Sequence, residues 1–260
     1  MSPPGQAPAP NGNIAVARRK YELRTLLRMS TIHFVGGEKG GVGKSVVARV
    51  CAQYCIDREL PFKAADADGS HGALMRFYAD YTTPVDLTSF PSADQILGLA
   101  TDADRRVLVD LPAQSDRLLG AWLGESGILE LAAESDVRVV FWHVIDDGKD
   151  ALITLERLLN RTGEQARICI VKNHGRGKDF TLFDRSPVRE AAQRLGAAVL
   201  ELPELNPAVM QKIDRLDASF WAAANGSSFG TETFSRIERQ RVKVWLTAVY
   251  DRIAQLGDVF

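Results

Sequence analysis

The sequence is poor in cysteine, with three residues in 260 whose spacing matches neither a disulfide framework nor a zinc site. Cys51, Cys55 and Cys169 are therefore typical of reduced thiols in the core of a cytosolic protein. A membrane-spanning run is also absent, because the longest apolar stretch, Val137–Ile145, is interrupted by His143 and is too short for a bilayer. No secretory signal is visible, so we expect a cytoplasmic protein without a membrane span.

Net charge is nearly absent as well: 32 lysines and arginines stand against 33 aspartates and glutamates, for a formal net charge of −1. This balance excludes a strongly basic nucleic-acid-binding chain, so any polyanion must be bound by a local patch. The four histidines share no spacing that metal ligands would need, and we interpret them as structural or surface groups. What is present is ordinary: 45% hydrophobic residues and 25% charged residues, which suit one sizeable domain.

From Thr31 onward, short apolar runs alternate with longer helical segments, which predicts an α/β fold: a mostly parallel, twisted sheet with helices on both faces. The predicted strands are Thr31–Gly36, Pro61–Asp66, Val85–Ser89, Arg106–Leu111, Val137–Val144, Ile168–Lys172 and Ala198–Leu202. The predicted helices are Lys44–Arg58, Ser92–Ala100, Leu118–Ala133, Lys149–Asn160, Val188–Leu195 and Phe234–Leu256. No internal repeat or second composition regime is visible, so we expect residues 30–260 to form a single domain.

The first 29 residues form a separate region. Met1–Asn13 is rich in Pro, Gly and Asn and too poor in apolar groups to fold alone, which predicts a flexible arm. Ile14–Met29 is typical of a short basic amphipathic helix. We favour a solvated helix packed loosely on the domain; an arm that binds an anionic surface or a partner is the alternative. Translation that starts at Met29 is a third possibility.

The stretch Phe34–Arg49 combines a strand end, a glycine-rich turn and the start of a helix. The glycines let several backbone N–H groups converge on one concave site, and these groups suit a polyphosphate. Lys44 can reach the β- and γ-phosphate oxygens, and the Ser45 hydroxyl can ligate Mg²⁺. The expected phosphate-binding residues are Glu38, Lys39, Gly40, Gly41, Val42, Gly43, Lys44, Ser45 and Val46.

This loop departs from the usual pattern, which would place a glycine at Glu38, and it carries a second lysine, Lys39. The segment Lys39–Ser45 resembles the deviant Walker A loop of the ParA/MinD family of dimerising ATPases. The resemblance implies a P-loop NTPase that binds ATP and Mg²⁺ and forms a homodimer on ATP binding. It also implies that Lys39 reaches across the dimer interface to the partner's nucleotide, so that Lys39 and Lys44 both take part in catalysis.

Two aspartates at predicted strand ends complete the expected chemistry. Asp110 ends an apolar strand, which is the expected position of a Walker B carboxylate that holds Mg²⁺ through a water, together with Ser45. Asp68 resembles the first-switch aspartate of the family, which orients or deprotonates the attacking water. The Pro-Gln that often follows in the family is replaced here by Gly69-Ser70-His71-Gly72. We expect Asp66 to stabilise this loop.

The choice of base is indicated by a late strand. The Asn-Lys-x-Asp signature of guanine readers is absent, whereas Asn173 matches the family's adenine-contacting asparagine, since a carboxamide offers a donor and an acceptor. Pro203 and Glu204 lie where the family packs adenine through backbone contacts. The resemblance therefore favours ATP over GTP, with Asn173, Pro203 and Glu204 as adenine-binding residues.

The last predicted helix, Phe234–Leu256, combines an apolar face with a cluster of cations. We place Ile237, Val244, Trp245, Ala248, Val249, Ile253 and Leu256 on that face. The cations on its other side could contact DNA by displacing phosphate counterions, and a merely solvated face explains them equally well. They are Arg236, Arg239, Arg241 and Lys243. A membrane-targeting helix fits less well because the end of the segment is acidic.

The resemblance supports a slow ATP hydrolase of the ParA type, stimulated by a partner. It would act in plasmid partition, conjugative transfer or intracellular positioning through ATP-gated binding to DNA, an activator or a cargo protein. Two alternatives remain: a small-molecule ligase or kinase similar to dethiobiotin synthetase, and a nucleotide-binding scaffold with negligible turnover. Lys39 distinguishes them, because a lysine that crosses a dimer interface has little purpose in a small-molecule kinase.

Overall fold

The structure, a computed structural model, describes residues 30–69, 72–226, 228–229 and 231–260. The predicted N-terminal arm and its basic helix lie outside the described residues. So do Ser70 and His71 of the predicted first switch.

Seven strands form one sheet in the order β3-β2-β4-β1-β5-β6-β7, and all neighbouring pairs are parallel. The strands are β1 Thr31–Gly36, β2 Phe62–Asp66, β3 Thr82–Pro84, β4 Arg106–Asp110, β5 Arg138–Ile145, β6 Arg167–Asn173 and β7 Ala198–Leu202. Strands β8 Ser228–Phe229 and β9 Glu232–Thr233 form a separate antiparallel pair. This topology confirms the predicted α/β fold.

Helices cover both faces of the sheet. They are α1 Lys44–Asp57, α2 Ala73–Phe77, α3 Phe90–Thr101, α4 Asp116–Glu125, α5 Ile128–Glu134, α6 Lys149–Thr162, α7 Thr181–Asp184, α8 Pro187–Arg194, α9 Pro207–Arg215, α10 Phe220–Asn225 and α11 Arg236–Gln255. Within the described part of the chain, no helix combines the length and the apolar character needed to cross a bilayer.

The core is divided by the sheet into two apolar clusters. Helices α1, α9, α10 and α11 pack on one face, and α3, α4, α5 and α6 pack on the other. Strand β1 supplies both clusters, since Ile32 and Phe34 face one and Val35 faces the other, as expected for a strand buried on both sides. The three cysteines are buried free thiols in the apolar cluster that contains α1.

Two predicted elements are wrong near the loops. Val85–Ser89 is not a strand, because the Asp86 side chain accepts the N–H of Thr88 at 2.8 Å and closes a turn there. The predicted helix Leu118–Ala133 is instead two helices, α4 and α5. They are separated at Gly127, whose φ of 58° is left-handed and ends a right-handed helix.

The apolar face predicted for the last helix is also wrong in part. Ile237 and Val244 are 58% and 60% exposed. The core is contacted instead through Val242, Leu246, Val249 and Ile253 of α11, which recur at helical spacing. A capping box between Ser235 and Glu238 fixes the start of the helix. Ile237 and Val244 consequently lie on the opposite side of the helix from the core.

Candidate functional site

The glycine-rich loop connects the central strand β1 to α1 at the carboxyl end of the sheet, where parallel α/β sheets bind their ligands. Gly43 immediately precedes α1 with a φ of 98°, a conformation that side chains disfavour. A Cβ at this position would lie only 2.2 Å from the Nδ2 atom of Asn173. The backbone of the loop is therefore closely packed before any ligand is added, and the N-terminus of α1 faces the site.

The two lysines of the loop lie in different environments. Lys44 is buried, and its Nζ donates to the Lys39 carbonyl at 3.0 Å. Burial lowers the pKa of Lys44, although the carboxylates of Asp110 and Asp68 oppose this shift. Lys39 has a side chain that is 38% exposed and lies 2.5 Å from Asp146 Oδ2, whose hydrogen bond raises the pKa of Lys39. Lys44 thus belongs to the interior of the loop and Lys39 to its outer edge.

Asp110 ends β4 directly beside β1, in register with Val35. Its carboxylate is buried, and apart from the Ser45 hydroxyl neither oxygen has a hydrogen-bond partner among the described residues. Burial is the main cause that raises the pKa of Asp110 to about 7; the Asp66 carboxylate adds to the shift, and the nearby Ser45 hydroxyl and Lys44 oppose it. A buried carboxylate that only a hydroxyl contacts fits a hydrated Mg²⁺ ion, which Asp110 and Ser45 would hold.

The raised pKa of Asp110 predicts that the free energy of unfolding of the unliganded protein falls as pH rises. An aspartate whose pKa is higher in the folded state loses stabilisation as pH rises from about 4 to about 7. We therefore expect Asp110→Asn to raise the free energy of unfolding by on the order of 4 kcal/mol at pH 8 and by under about 1 kcal/mol at pH 4. Urea denaturation of the nucleotide-free protein measures this, with the exposed Asp102→Asn as control. Equal effects at both pH values would contradict the assigned environment.

Asp66 and Asp68 lie at the end of β2 with different roles. The Asp66 carboxylate is buried and accepts the N–H of Asp68 at 3.1 Å and of Met75 at 3.0 Å, so it holds the chain on both sides of this loop. Asp68 is half-buried, and its charge influences both Lys44 and Asp110. The structure thus brings Asp68 into the same electrostatic environment as the lysine and aspartate predicted to bind phosphate and metal.

Asn173 ends β6 and supports the phosphate loop, a role that the sequence did not indicate. Its Nδ2 donates to the Val42 carbonyl at 2.7 Å, and its Oδ1 accepts the N–H of Gly175 at 3.0 Å. A carboxamide has two donors and two lone pairs, so one of each is left for the predicted adenine contact.

The three residues predicted to bind adenine line one pocket, beside Val46 of α1. Its cavity volume is about 200 Å³, somewhat below the range of about 300–1,000 Å³ for complete small-molecule sites. The Glu204 carboxylate lies 2.6 Å from Lys178 Nζ, and the Pro203 carbonyl accepts the indole N–H of Trp245 at 2.7 Å. The structure therefore places Asn173, Pro203 and Glu204 on one side of the phosphate loop, and Asp68 and Asp110 on the other.

Glu38 connects the phosphate loop to α4. Its Oε1 accepts the N–H of Asp116 at 2.6 Å, and its backbone carbonyl accepts the N–H of Gln114 at 3.2 Å. Asp116 in turn forms a bidentate pair with Arg161 of α6, at 2.5 and 2.6 Å. In this structure the Glu38 side chain therefore contacts the segment after Asp110, and only its backbone belongs to the phosphate loop.

The cations predicted to contact DNA lie on α11, away from the phosphate loop. Arg236, Arg241 and Lys243 are exposed, whereas Arg239 is half-buried beside Gly226. The link between this helix and the candidate site is Trp245, which lines the pocket described above.

The parallel sheet, the glycine-rich loop after its central strand, the second lysine and the buried carboxylate at the end of β4 together form a P-loop α/β fold with a deviant Walker A loop. These features confirm the predicted resemblance to the ParA/MinD family.

Comparison with known proteins gives distant similarities. No family model matches the chain. Protein MobD of Acidithiobacillus ferrooxidans is 26% identical over 189 residues, which cover 70% of this chain and 82% of MobD. A nucleotide-binding protein of Archaeoglobus fulgidus, solved in complex with ADP, is 17% identical, with a TM-score of 0.49 over 75% of this chain and 89% of its own. The MinC:MinD cell division complex of Aquifex aeolicus gives 12% identity and a TM-score of 0.47, over 85% and 96%.

Proposed function

We propose that this chain is an ATP-dependent switch of the ParA type, which dimerises on ATP binding and hydrolyses ATP slowly. The observation that carries the proposal is the separation of the two lysines. Lys44 is buried inside the loop, where it can neutralise the phosphates of its own nucleotide, whereas Lys39 is partly exposed at the edge of the loop, beside Asp146. A cation that is exposed there can serve a second site that faces the first.

The proposed nucleotide is ATP with Mg²⁺. The backbone of Glu38–Val46 and Lys44 would hold the phosphates, and Ser45 and Asp110 would hold the metal, which lowers the barrier by neutralising charge on the phosphates. The pocket lined by Asn173, Pro203 and Glu204 would take the adenine. The half-buried Asp68 would position the attacking water, since phosphoryl transfer is dominated by positioning and charge stabilisation.

Asp68→Ala is expected to bind ATP with nearly unchanged affinity and to hydrolyse it about 100-fold more slowly, because only water positioning is removed. Single-turnover hydrolysis of radiolabelled ATP measures the rate, and the exposed Asp80→Ala serves as the matched control. An Asp68→Ala protein that hydrolyses ATP at the wild-type rate would show that this carboxylate is not used in the reaction.

The cellular process is proposed from the sequence resemblance: plasmid partition, conjugative transfer or intracellular positioning. Among these processes, the 26% identity to Protein MobD supports a role related to mobilisation. In this role the ATP-bound dimer would bind DNA or a partner protein, and an activator or cargo protein would stimulate hydrolysis. The candidate DNA contacts are Arg236, Arg239, Arg241 and Lys243.

A small-molecule ligase or kinase is a second candidate because of one observation. A pocket opens beside Asp68 at the ends of β2 and β3, and Met75, Arg76 and Ser92 are among its lining residues. A second substrate placed there would be close to a transferred phosphate.

The test that separates the two functions is the oligomeric state with different nucleotides. Sedimentation velocity in Mg²⁺ with a non-hydrolysable ATP analogue should show a dimer, whereas Mg²⁺ with ADP should show a monomer. A monomer in both conditions would reject the dimerising switch and favour the kinase or the scaffold.

A further inference from the structure

Helix α11 carries a second apolar surface on the side opposite the core. Ile237 and Val244 are 58% and 60% exposed, and Ala248 is half-buried. At 100° per residue these three positions lie within about 40° of one another on the helix. We call this surface the outer stripe. Scattered exposed aliphatic side chains are common, but an aligned set on one helix is typical of a binding surface.

The outer stripe borders a groove between α11 and the segment that follows β7. The groove is lined on one wall by Pro203, Glu204, Leu205 and Asn206, and on the other by Gln240, Arg241, Val244, Trp245 and Ala248. Five of these nine side chains are apolar, and the Glu204 carboxylate is paired with Lys178 at 2.6 Å. The two walls are joined by the Trp245 indole N–H, which donates to the Pro203 carbonyl at 2.7 Å. A preformed apolar groove of this kind can receive side chains from a helix laid along it.

Cations flank the outer stripe on both sides. Arg241 lies on the side of the groove, and Arg236 and Lys243 lie on the other side; all three are exposed. None of them forms an ion pair with an acidic side chain of the described residues. Asp251 is the exposed acidic residue near the C-terminal end of the same surface. The stripe therefore presents aliphatic side chains with one cation, Arg241, on the groove side and two, Arg236 and Lys243, on the other.

This combination favours a protein partner over DNA. Non-specific DNA binding depends on cations that meet phosphates, and it gains nothing from aliphatic side chains placed between them. An amphipathic helix, in contrast, uses apolar side chains at positions i, i+4 and i+7 as anchors and charged residues beside them for orientation. We propose that the outer stripe and its groove bind an acidic amphipathic helix of a partner protein.

The groove also adjoins the proposed adenine pocket. Pro203, Leu205 and Trp245 line both the groove and the pocket that contains Asn173. One layer of side chains therefore separates the partner helix from the nucleotide. The inference that the partner is an acidic helix rests on the α11 surface alone. Only the coupling between partner binding and ATP binding rests on the proposed function. In such coupling, ATP would change the affinity for the partner by the same factor as the partner changes the affinity for ATP.

The test begins with selection from a displayed library of helical 20-residue peptides against the full-length protein with ATP and Mg²⁺. We expect the selected peptides to carry leucine-like residues at i, i+4 and i+7 and an excess of aspartate and glutamate. Fluorescence anisotropy of the synthesised peptides then gives their dissociation constants. Selected peptides that are basic, or that lack an apolar face, would overturn the proposal.

Two sets of variants locate the binding site. The double variant Ile237→Ser, Val244→Ser should weaken peptide binding at least about tenfold, and so should Arg241→Glu, Lys243→Glu. The matched control is Leu131→Ser, Ile153→Ser, which changes aliphatic side chains that are 44% and 49% exposed elsewhere, and should have no effect. Equal binding to the outer-stripe variants and the control would reject this surface.

A DNA arm and a sedimentation arm complete the experiment. Binding of a 30-base-pair duplex that is lost in Arg236→Ala, Arg239→Ala, Lys243→Ala but unchanged in Ile237→Ser, Val244→Ser would assign the surface to DNA and overturn the proposal. The outer-stripe variants should keep ATP-induced dimerisation, which shows that they fold. Peptide binding by a wild-type protein that never dimerises would support the partner helix and reject the switch.

Discussion

Replacing Lys44 with alanine is expected to weaken ATP binding by about 100-fold or more. The substitution removes the buried cation that would contact the β- and γ-phosphates, and charge-assisted hydrogen bonds of this kind contribute about 1.5–3 kcal/mol each. Lys39 does not replace it in the single chain, because its ammonium group is engaged with Asp146. Isothermal titration with a non-hydrolysable ATP analogue and Mg²⁺ measures the change.

The fold should tolerate this substitution. The Lys44 Nζ makes one hydrogen bond to the Lys39 carbonyl, which stabilises the fold, whereas the burial of its charge destabilises the fold. Alanine removes both contributions to the free energy of unfolding. Lys63→Ala, which removes a half-buried lysine from β2, is the matched control and should bind ATP normally. An unchanged dissociation constant for Lys44→Ala would place the triphosphate somewhere other than this loop.

In contrast to Lys44→Ala, Lys39→Ala is expected to retain ATP binding but to lose ATP-induced dimerisation and most hydrolysis. Two sites that meet face to face would bring two triphosphates together, and their repulsion is strong unless cations lie between them. Lys39 from each subunit would supply that cation. Sedimentation velocity with a non-hydrolysable ATP analogue should show the dimer dissociation constant raised at least about tenfold.

The Asp146 carboxylate provides the comparison for this prediction. Asp146 Oδ2 lies 2.5 Å from Lys39 Nζ in the single chain, so Lys39 must leave it in order to reach a partner. Asp146→Asn weakens that contact and should dimerise with ATP at least as readily as the wild type. A Lys39→Ala protein that still forms a stable dimer would remove the main support for the switch and favour the kinase or the scaffold.

The parts of the fold that the sequence predicted are those with strong local signals. Strand β1 and helix α1 match their predicted starts because an apolar run, a glycine turn and a helix follow one another without interruption. The edge strand β3, Thr82–Pro84, carries no apolar run, since it is buried on neither face, and its position was therefore missed. The orientation of α11 failed for a related reason: two apolar patterns lie on opposite sides of that helix, and only tertiary packing selects between them.

The candidate site was also predictable only where the signal is local. The glycine spacing predicted the loop, and the apolar strand that ends in Asp110 predicted a carboxylate next to it. The contacts that hold these groups were not predictable, because they join residues far apart in the chain. Glu38 and Asp116 are separated by 78 positions, and Asn173 and Val42 by 131. No periodicity or motif within one segment carries such a pairing.

The contact between Gly43 and Asn173 limits how this loop can be moved between proteins. A Cβ at position 43 would lie 2.2 Å from the carboxamide nitrogen of Asn173, and the same nitrogen donates to Val42. The conformation of the loop therefore depends on a residue outside the loop. A graft of residues 37–45 into another scaffold would lack its backbone support unless an asparagine were also installed at the end of the corresponding strand. For the same reason, Gly43 and Asn173 should behave in mutational scans as a single epistatic unit.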